Sequence, residues 1–290
     1  MAEPLPICYL SGEYLPLTAA RISPLDRGFL FGDGVYEVMP VYGGRPFRFE
    51  AHCARLVRSL EALRMEDPHT REQWREILSG LIEHNGAADV YLYWQVTRGA
   101  EHGRNHAPLP QIERTVFAFC APLPRIAPEL LDQGLPCITA TDTRWARCDI
   151  KSVALLANVL LRQESVDAGA AETILLREGM LTEASASTVY VVTGGQLRAP
   201  PNSHRILPGT TRGAVEELAA RLGMPCHAEP VTELALRTAE EIWISSATRE
   251  VLPVTRLDGR PVGDGRPGPR WRQVYDELQR WKQALKDEPW

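Results

Sequence analysis

Lysine is almost missing from this sequence. Of its 32 basic residues only three are lysines, and two of those, Lys282 and Lys286, fall in the last ten positions. Lys151 therefore stands alone among the first 281 residues, in a chain that otherwise takes its positive charge from arginine. Other absences narrow the possibilities. The six cysteines (Cys8, Cys53, Cys120, Cys137, Cys148 and Cys226) include no CxxC pair, a spacing that fits neither a zinc site nor a disulfide framework. Reduced thiols in a cytoplasm are expected. No long apolar run occurs, because the most apolar helical stretch, "VALLANVLLRQ", is broken by Asn158 and Arg162. The opening "MAEPLPICYL" has no basic segment followed by an apolar one, so no signal peptide is expected. Positive charge is not in excess either. A net charge of -5 argues against general affinity for nucleic acid or anionic membrane.

What is present is ordinary globular material, with 44% hydrophobic and 24% charged residues over 290 positions. That length exceeds one small core and predicts two domains. "ICYL", "GEYLPL" and "DGVYEVMPVYGGRPFRF" read as strands around tight turns. "FEAHCARLVRSLEALRM" and "REQWREILSGLIEHNG" carry helical spacing, the second closing on a glycine C-cap. "DVYLYWQVTRG" and "RTVFAFCAP" alternate as strands on either side of a polar loop. The proline-rich stretch 121–129, "APLPRIAPE", reads as a linker. Beyond it, strands are expected at "CITATD", "ETILLRE", "STVYVVTGGQLRAP" and "EEIWISS". Helices are expected at "SVALLANVLLRQESVDAG", "TRGAVEELAARLG" and "RWRQVYDELQRWKQALK". The fold class is α+β, with a smaller N-terminal α/β domain (1–120) and a larger, β-rich C-terminal domain (130–290) with packed helices.

Lysine and arginine differ chemically in one respect that bears on Lys151. An amine can lose its proton and attack a carbonyl, whereas guanidinium stays protonated. Some thirty residues later, "MLTEASASTVYV" offers Glu183, either a turn-forming acid or a carboxylate that keeps a pyridine nitrogen protonated. In "RILPGTTRGAVEEL", Thr210 and Thr211 head an amphipathic helix, as an N-cap or as a seat for phosphate. "SSATRE" puts a second small-residue turn, with Ser246 and Ala247, directly after a strand. Amine, carboxylate and two anion-type turns together describe a site for pyridoxal phosphate.

Six stretches in this order, "RGFLFGDGVYEV", "QVTRG…RNH", "RWARCDIKS", "LTEASAS", "ILPGTTR" and "SSATREVLPV", resemble the fold-type IV pyridoxal phosphate aminotransferases over nearly the whole chain. The resemblance is strongest to members acting on D-amino acids. It implies a pseudo-barrel C-terminal domain and a homodimer. It makes Lys151 the Schiff-base lysine and Glu183 the partner of the pyridine nitrogen. Arg55, Thr210, Thr211 and the Ser246–Ala247 turn would hold the phosphate, and Leu207 would pack on the ring. Tyr36, Arg104 and His106 would bind the substrate α-carboxylate, the Arg-x-His loop coming from the neighbouring subunit. Glu37 and His52 are expected to be supporting groups, and His102 a surface histidine.

This sequence departs from the family pattern at three positions. Ala247 stands where the pattern has threonine, Thr188 replaces an asparagine, and Pro208 precedes Gly209 where the pattern has lysine. The implied activity is transamination between D-amino acids, such as D-alanine or D-glutamate, and 2-oxo acids such as pyruvate and 2-oxoglutarate. An L-branched-chain aminotransferase and an aminodeoxychorismate lyase share the fold, but neither needs the Arg-x-His loop. A catalytically silent binding protein on the same fold is the third rival.

Overall fold

The computed structural model describes residues 3–285, which form two compact units. The first comprises residues up to 124, the short segment Ile150–Leu155 and the last described residues from Ala284; the second holds Arg125–Asp149 and Leu156–Gln283. This differs from the expected division in two places. The proposed linker begins inside a strand that runs to Pro122, and the segment carrying Lys151 belongs to the first unit rather than to the C-terminal domain. Lys286 lies outside the described residues.

The first unit is built on a six-stranded antiparallel sheet of β1 (Ile7–Leu10), β2 (Glu13–Pro16), β3 (Gly34–Tyr42), β4 (Arg45–Pro46), β5 (Val90–Thr97) and β6 (Thr115–Pro122), in the order β2-β1-β6-β5-β3-β4. Its helices are α1 (Arg27–Phe31), α2 (Phe49–Ala62) and α3 (Arg71–Asn85). Alternation in β5 sends Val90, Leu92, Trp94 and Val96 into the core with Leu56, Leu60, Trp74 and Leu78 of α2 and α3. Tyr91, Tyr93 and Gln95 take the opposite face. α3 opens on a capping box, in which Gln73 N–H donates to Thr70 Oγ1 and Thr70 N–H donates to Gln73 Oε1. It closes on Gly86 in the left-handed region, as its sequence predicts.

The second unit holds a nine-stranded mixed sheet and five helices. In chain order these are α4 (Pro128–Gln133), β7 (Leu135–Thr141), α5 (Leu156–Asp167), β8 (Glu172–Arg177), β9 (Met180–Ala184), β10 (Thr188–Thr193), β11 (Gln196–Ala199), α6 (Thr210–Arg221), β12 (Cys226–Ala228), α7 (Glu233–Arg237), β13 (Glu241–Ser246), β14 (Glu250–Leu257), β15 (Arg260–Pro261) and α8 (Pro269–Ala284). The sheet order is β12-β11-β10-β13-β14-β7-β8-β9, with β15 paired to β14. β7 and β8 are parallel, so the chain between them must cross over, and α5 is that crossover. α5 starts at Leu156, later than its apolar pattern suggested, because Ile150–Leu155 are drawn into the first unit.

Candidate active site

In the first unit, Lys151 is held by its backbone. Tyr36 N–H donates to the Lys151 carbonyl (3.0 Å), Val153 N–H donates to the Gly34 carbonyl (3.0 Å), and Lys151 N–H donates to Ser59 Oγ (3.3 Å). The segment thus runs alongside the start of β3, with a bridge between Val35 and Ser152. The lysine side chain is half-buried, and its Nζ sits 4.1 Å from the centre of the Tyr36 ring. Tyr93 stacks against the same ring, with centres 5.5 Å apart, which limits how Tyr36 can rotate.

Glu37 alternates with Tyr36 on β3 and points the other way, into the core, where it is fully buried. It accepts two hydrogen bonds from Arg55, Nε to Oε1 and Nη2 to Oε2, both 2.7 Å, and His52 Nδ1 lies 2.7 Å from Oε2. Burial alone would raise the Glu37 pKa, but the Arg55 charge and these hydrogen bonds overcome it and hold the carboxyl at about 2. Burial pushes His52 below its usual value, so a neutral ring donating from Nδ1 suits the geometry. Arg55, expected to bind phosphate, is therefore a guanidinium oriented by a buried carboxylate.

This buried pair makes stability depend on acid. The folded-state value lies below the ordinary 4.5, so the stabilisation is complete above that pH and is lost as pH falls toward 2. A displacement of this size corresponds to on the order of 3 kcal/mol. Glu37→Gln should flatten the pH dependence of unfolding free energy in that acid window. It should also lower stability at neutral pH by about 3–5 kcal/mol, because Arg55 loses the carboxylate that balances its charge. Denaturant melts of both proteins across the acid range check this, and parallel curves would remove Glu37 from the acid response.

Arg104 and His106 lie on the exposed loop between β5 and β6. Among the described residues, no hydrogen bond engages the Arg104 guanidinium or the His106 ring. Both instead face Phe31, at 5.1 Å and 5.5 Å from its centre. Their donors are thus available to a ligand. His102 is exposed on the same loop, as its sequence position suggested.

In the second unit, Glu183 is not on a turn but near the end of β9, and it is buried. Its Oε1 accepts a hydrogen bond from Arg144 Nη1, and Oε2 accepts from the backbone N–H of Leu207 at 3.1 Å. Burial pushes the carboxyl above its usual range, while Arg144 and the Leu207 N–H oppose that rise. Arg144 is itself buried and donates from Nε (2.9 Å) and Nη2 (2.9 Å) to Asp142. Asp142 also accepts from Thr182 Oγ1 at 2.8 Å and pairs with Arg177 at 3.1 Å. Asp142 beside Arg144 adds to the effect of burial on Glu183, against the lowering by Arg144. Arg144 opens the stretch "RWARCDIKS", but no role is legible for it there; its meaning comes from its place just past the end of β7, whose last residue is Thr141.

Gly209, not either threonine, is the N-cap of α6, and no side chain caps that helix. Thr210 and Thr211 are its first two residues and are buried. A Cβ built at Gly209 would lie 2.9 Å from Thr188 Oγ1, so the threonine that departs from the family pattern faces the glycine of this turn. Leu207 and Pro208 are half-buried just before it. Ser246 ends β13 and Ala247 follows in the turn to β14. Another cluster, unread from the sequence, secures the loop after Glu183. Buried Glu172 accepts from Ser185 Oγ, from Ser187 Oγ (3.0 Å) and from Arg249 Nη1 (3.2 Å). Arg249 sits in the same turn as Ala247, so one carboxylate braces both loops.

The comparisons with known proteins give the class, that of the class IV aminotransferases. The model of that family matches residues 34–257, and the chain belongs to it. At the level of particular proteins, the chain is 36% identical over 277 residues to a D-alanine aminotransferase of Staphylococcus epidermidis, covering 95% of this chain and 98% of that one. It is 38% identical over 270 residues to the D-alanine aminotransferase of Bacillus licheniformis, covering 93% and 94%. A T.th. branched-chain amino acid aminotransferase, solved with pyridoxamine 5'-phosphate, matches with a TM-score of 0.90 at 26% identity, covering 99% of this chain and 97% of that one. An Escherichia coli branched-chain enzyme matches at TM-score 0.92 and 24% identity over 99% and 97%, which establishes the fold-type IV architecture.

Proposed function

We propose that Lys151 and Glu183 carry the chemistry of a pyridoxal phosphate-dependent transamination between D-amino acids and 2-oxo acids. The activity rests on near full-length relatives that are D-alanine aminotransferases at 36% and 38% identity. The observation supporting this substrate class from within the chain is the loop carrying Arg104 and His106, whose side-chain donors are unengaged among the described residues.

The residues present fit the cofactor. The side chain of Lys151, the lone lysine among the first 281 residues, is an amine backed by an aromatic face. Glu183 is a buried carboxylate kept in place by Arg144 and Leu207. α6 is twelve residues long and begins with an uncapped turn next to Thr188, a place with free N–H groups for an anion. Pyridoxal phosphate, when bound, supplies an aldehyde carbon that joins amines and a pyridine ring that takes up electrons from the substrate Cα.

The protein's own groups do the rest. The Lys151 amine would hold the cofactor's aldehyde carbon and, when free, would take the substrate Cα proton as general base. Glu183 would be the partner of the ring nitrogen and would keep a proton there. By the family resemblance, Arg55, Thr210, Thr211, Ser246 and the Ala247 N–H would each be a phosphate ligand, and Leu207 would pack on the ring. Tyr36, Arg104 and His106 grip the α-carboxylate through charge-assisted hydrogen bonds. Fixing the carboxylate fixes which enantiomer turns its Cα hydrogen toward Lys151.

A panel of D- and L-amino acids with 2-oxoglutarate, read by product chirality, tests the substrate assignment. Turnover of L-leucine in preference to D-alanine would overturn it in favour of the branched-chain activity. Release of pyruvate from aminodeoxychorismate would favour the lyase.

We place the enzyme in the cytoplasm as a homodimer. Its six cysteines are free, and burial raises the thiols of Cys53 and Cys120 to about 12 and about 11. No helix among the described residues is long and apolar enough to cross a membrane. Support for the dimer comes from apolar side chains left exposed: Leu156, Val159, Leu160 and Val166 along α5, and Phe29, 70% exposed, with Ile22 and Leu25 beside α1. If the loop carrying Arg104 serves the neighbouring subunit, mixing inactive Lys151→Ala with the impaired Arg104→Ala protein rebuilds one complete site per hybrid dimer. Random exchange should then restore roughly a quarter of wild-type activity. No recovery despite subunit exchange proven by mass spectrometry would count against a shared site.

A further inference from the structure

The loop that carries Arg104 and His106 is exposed over most of residues 102–111, yet its purpose in the proposed reaction demands a fixed geometry. Its base is fixed by sterics. Gly99 has φ +100°, and a Cβ there would stand 1.9 Å from the Glu113 carbonyl oxygen, so the two ends of the loop touch at a point that admits only glycine. Its tip is fixed by a single side chain from elsewhere. Arg27 is buried at the start of α1, where Asp26 caps the helix by accepting from Gly28 N–H at 2.7 Å. Asp26 is in turn locked by Thr97 Oγ1 (3.0 Å) and Thr115 Oγ1 (2.6 Å), from the strands on either side of the loop.

From that anchored position the Arg27 guanidinium reaches the loop. Nη1 donates to the Asn105 carbonyl (2.6 Å) and to Glu101 Oε1 (3.3 Å), and Nη2 donates to the His106 carbonyl (3.0 Å). Nε donates to Asp33 Oδ2 at 2.8 Å, which Arg98 also grips. Glu101 Oε1 accepts further from Leu109 N–H at 3.0 Å. Arg27, Arg104 and His106 all face one ring, Phe31, with Arg27 4.8 Å from its centre. The two carbonyls that Arg27 holds belong to His106 and to the residue between Arg104 and His106.

We infer that Arg27 is a positioning residue for the carboxylate-binding pair: it holds the backbone of Asn105 and His106 so that Arg104 and His106 present their donors together. This rests on the proposed carboxylate role of Arg104 and His106. Only a planar, forked donor reaches acceptors on both sides at once; an ammonium does not.

The test compares Arg27→Lys with wild type and with Arg104→Ala in the full holoenzyme. Arg27→Lys should raise KM for D-alanine and pyruvate about tenfold, the usual cost of one or more charge-assisted hydrogen bonds, with kcat little changed. Amide hydrogen exchange in residues 102–112 should quicken by a similar factor, while exchange in α3 stays as in wild type. Unchanged exchange in the loop overturns the inference, whatever happens to KM. Quickened exchange with unchanged KM overturns it also, because the tether would then be irrelevant to substrate. If Arg104→Ala leaves KM for D-alanine unaltered, the carboxylate reading itself fails, and the exchange data still report whether Arg27 tethers the loop. Should Arg27→Lys not fold, Glu101→Gln weakens the same tether with less disruption. It should move loop exchange and KM in the same direction, and no movement in either overturns the proposal.

Discussion

Lys151→Ala is expected to reduce steady-state transamination of D-alanine with 2-oxoglutarate to background. The residue is asked to do two jobs, as nucleophile and as the base that moves the Cα proton, and a positioned base alone is worth about 10²–10⁴ in rate. Ser152 and Ser59 are hydroxyls and Arg55 is held by Glu37, so none of these replaces it. Lys151→Arg should fail as completely, although it keeps the charge over the Tyr36 ring, because guanidinium neither gives up its proton nor attacks a carbonyl. The two variants together separate chemistry from electrostatics. Turnover near wild type in either, without added amine, would remove Lys151 from the reaction.

Arg104→Ala is expected to lower kcat/KM for D-alanine by roughly thirtyfold or more. Losing one member of a desolvated charged pair costs about 2–5 kcal/mol, and about 1.4 kcal/mol is tenfold. An amine without a carboxylate, such as 1-phenylethylamine, should lose much less, since it has nothing for the guanidinium to bind. Parallel kinetics on the two substrates give the answer. Equal losses would make Arg104 a support of the loop or of the dimer, and the stereochemical argument for D-amino acids would lose its basis.

Local pattern carried much of this fold. Strict alternation in β5 and the Thr70–Gln73 box with Gly86 in α3 are short-range signals, and each element follows its signal closely. Boundaries set by partners distant in sequence were not legible. α5 loses its first turn because Ser152 and Val153 pair with β3, a contact that no property of "SVALL" announces. The same holds in the candidate site. Lys151 was conspicuous because its residue type is rare, and Glu183 because of the motif around it. Arg144, Glu172, Arg249 and Arg27 were not, since arginine is this chain's everyday cation and a glutamate in a strand looks like an exposed one. Their importance lies in which carboxylate, carbonyl or hydroxyl each meets, and only folding decides that.

The detour of residues 150–155 has a bearing on how the chain is made. The first unit takes in Ile150 as part of its core and hydrogen-bonds Lys151 and Val153 to β3. Synthesis from the N-terminus delivers residues up to 124 well before this short segment. The nascent first unit therefore waits, one edge unfilled, while the first strand of the second unit is already emerging. Cutting the gene at the apparent boundary would leave Lys151 on the fragment that carries the second unit. Lys151 joins the first unit only after residues 125–149 of the second have been made, so the first unit cannot be finished without part of the second.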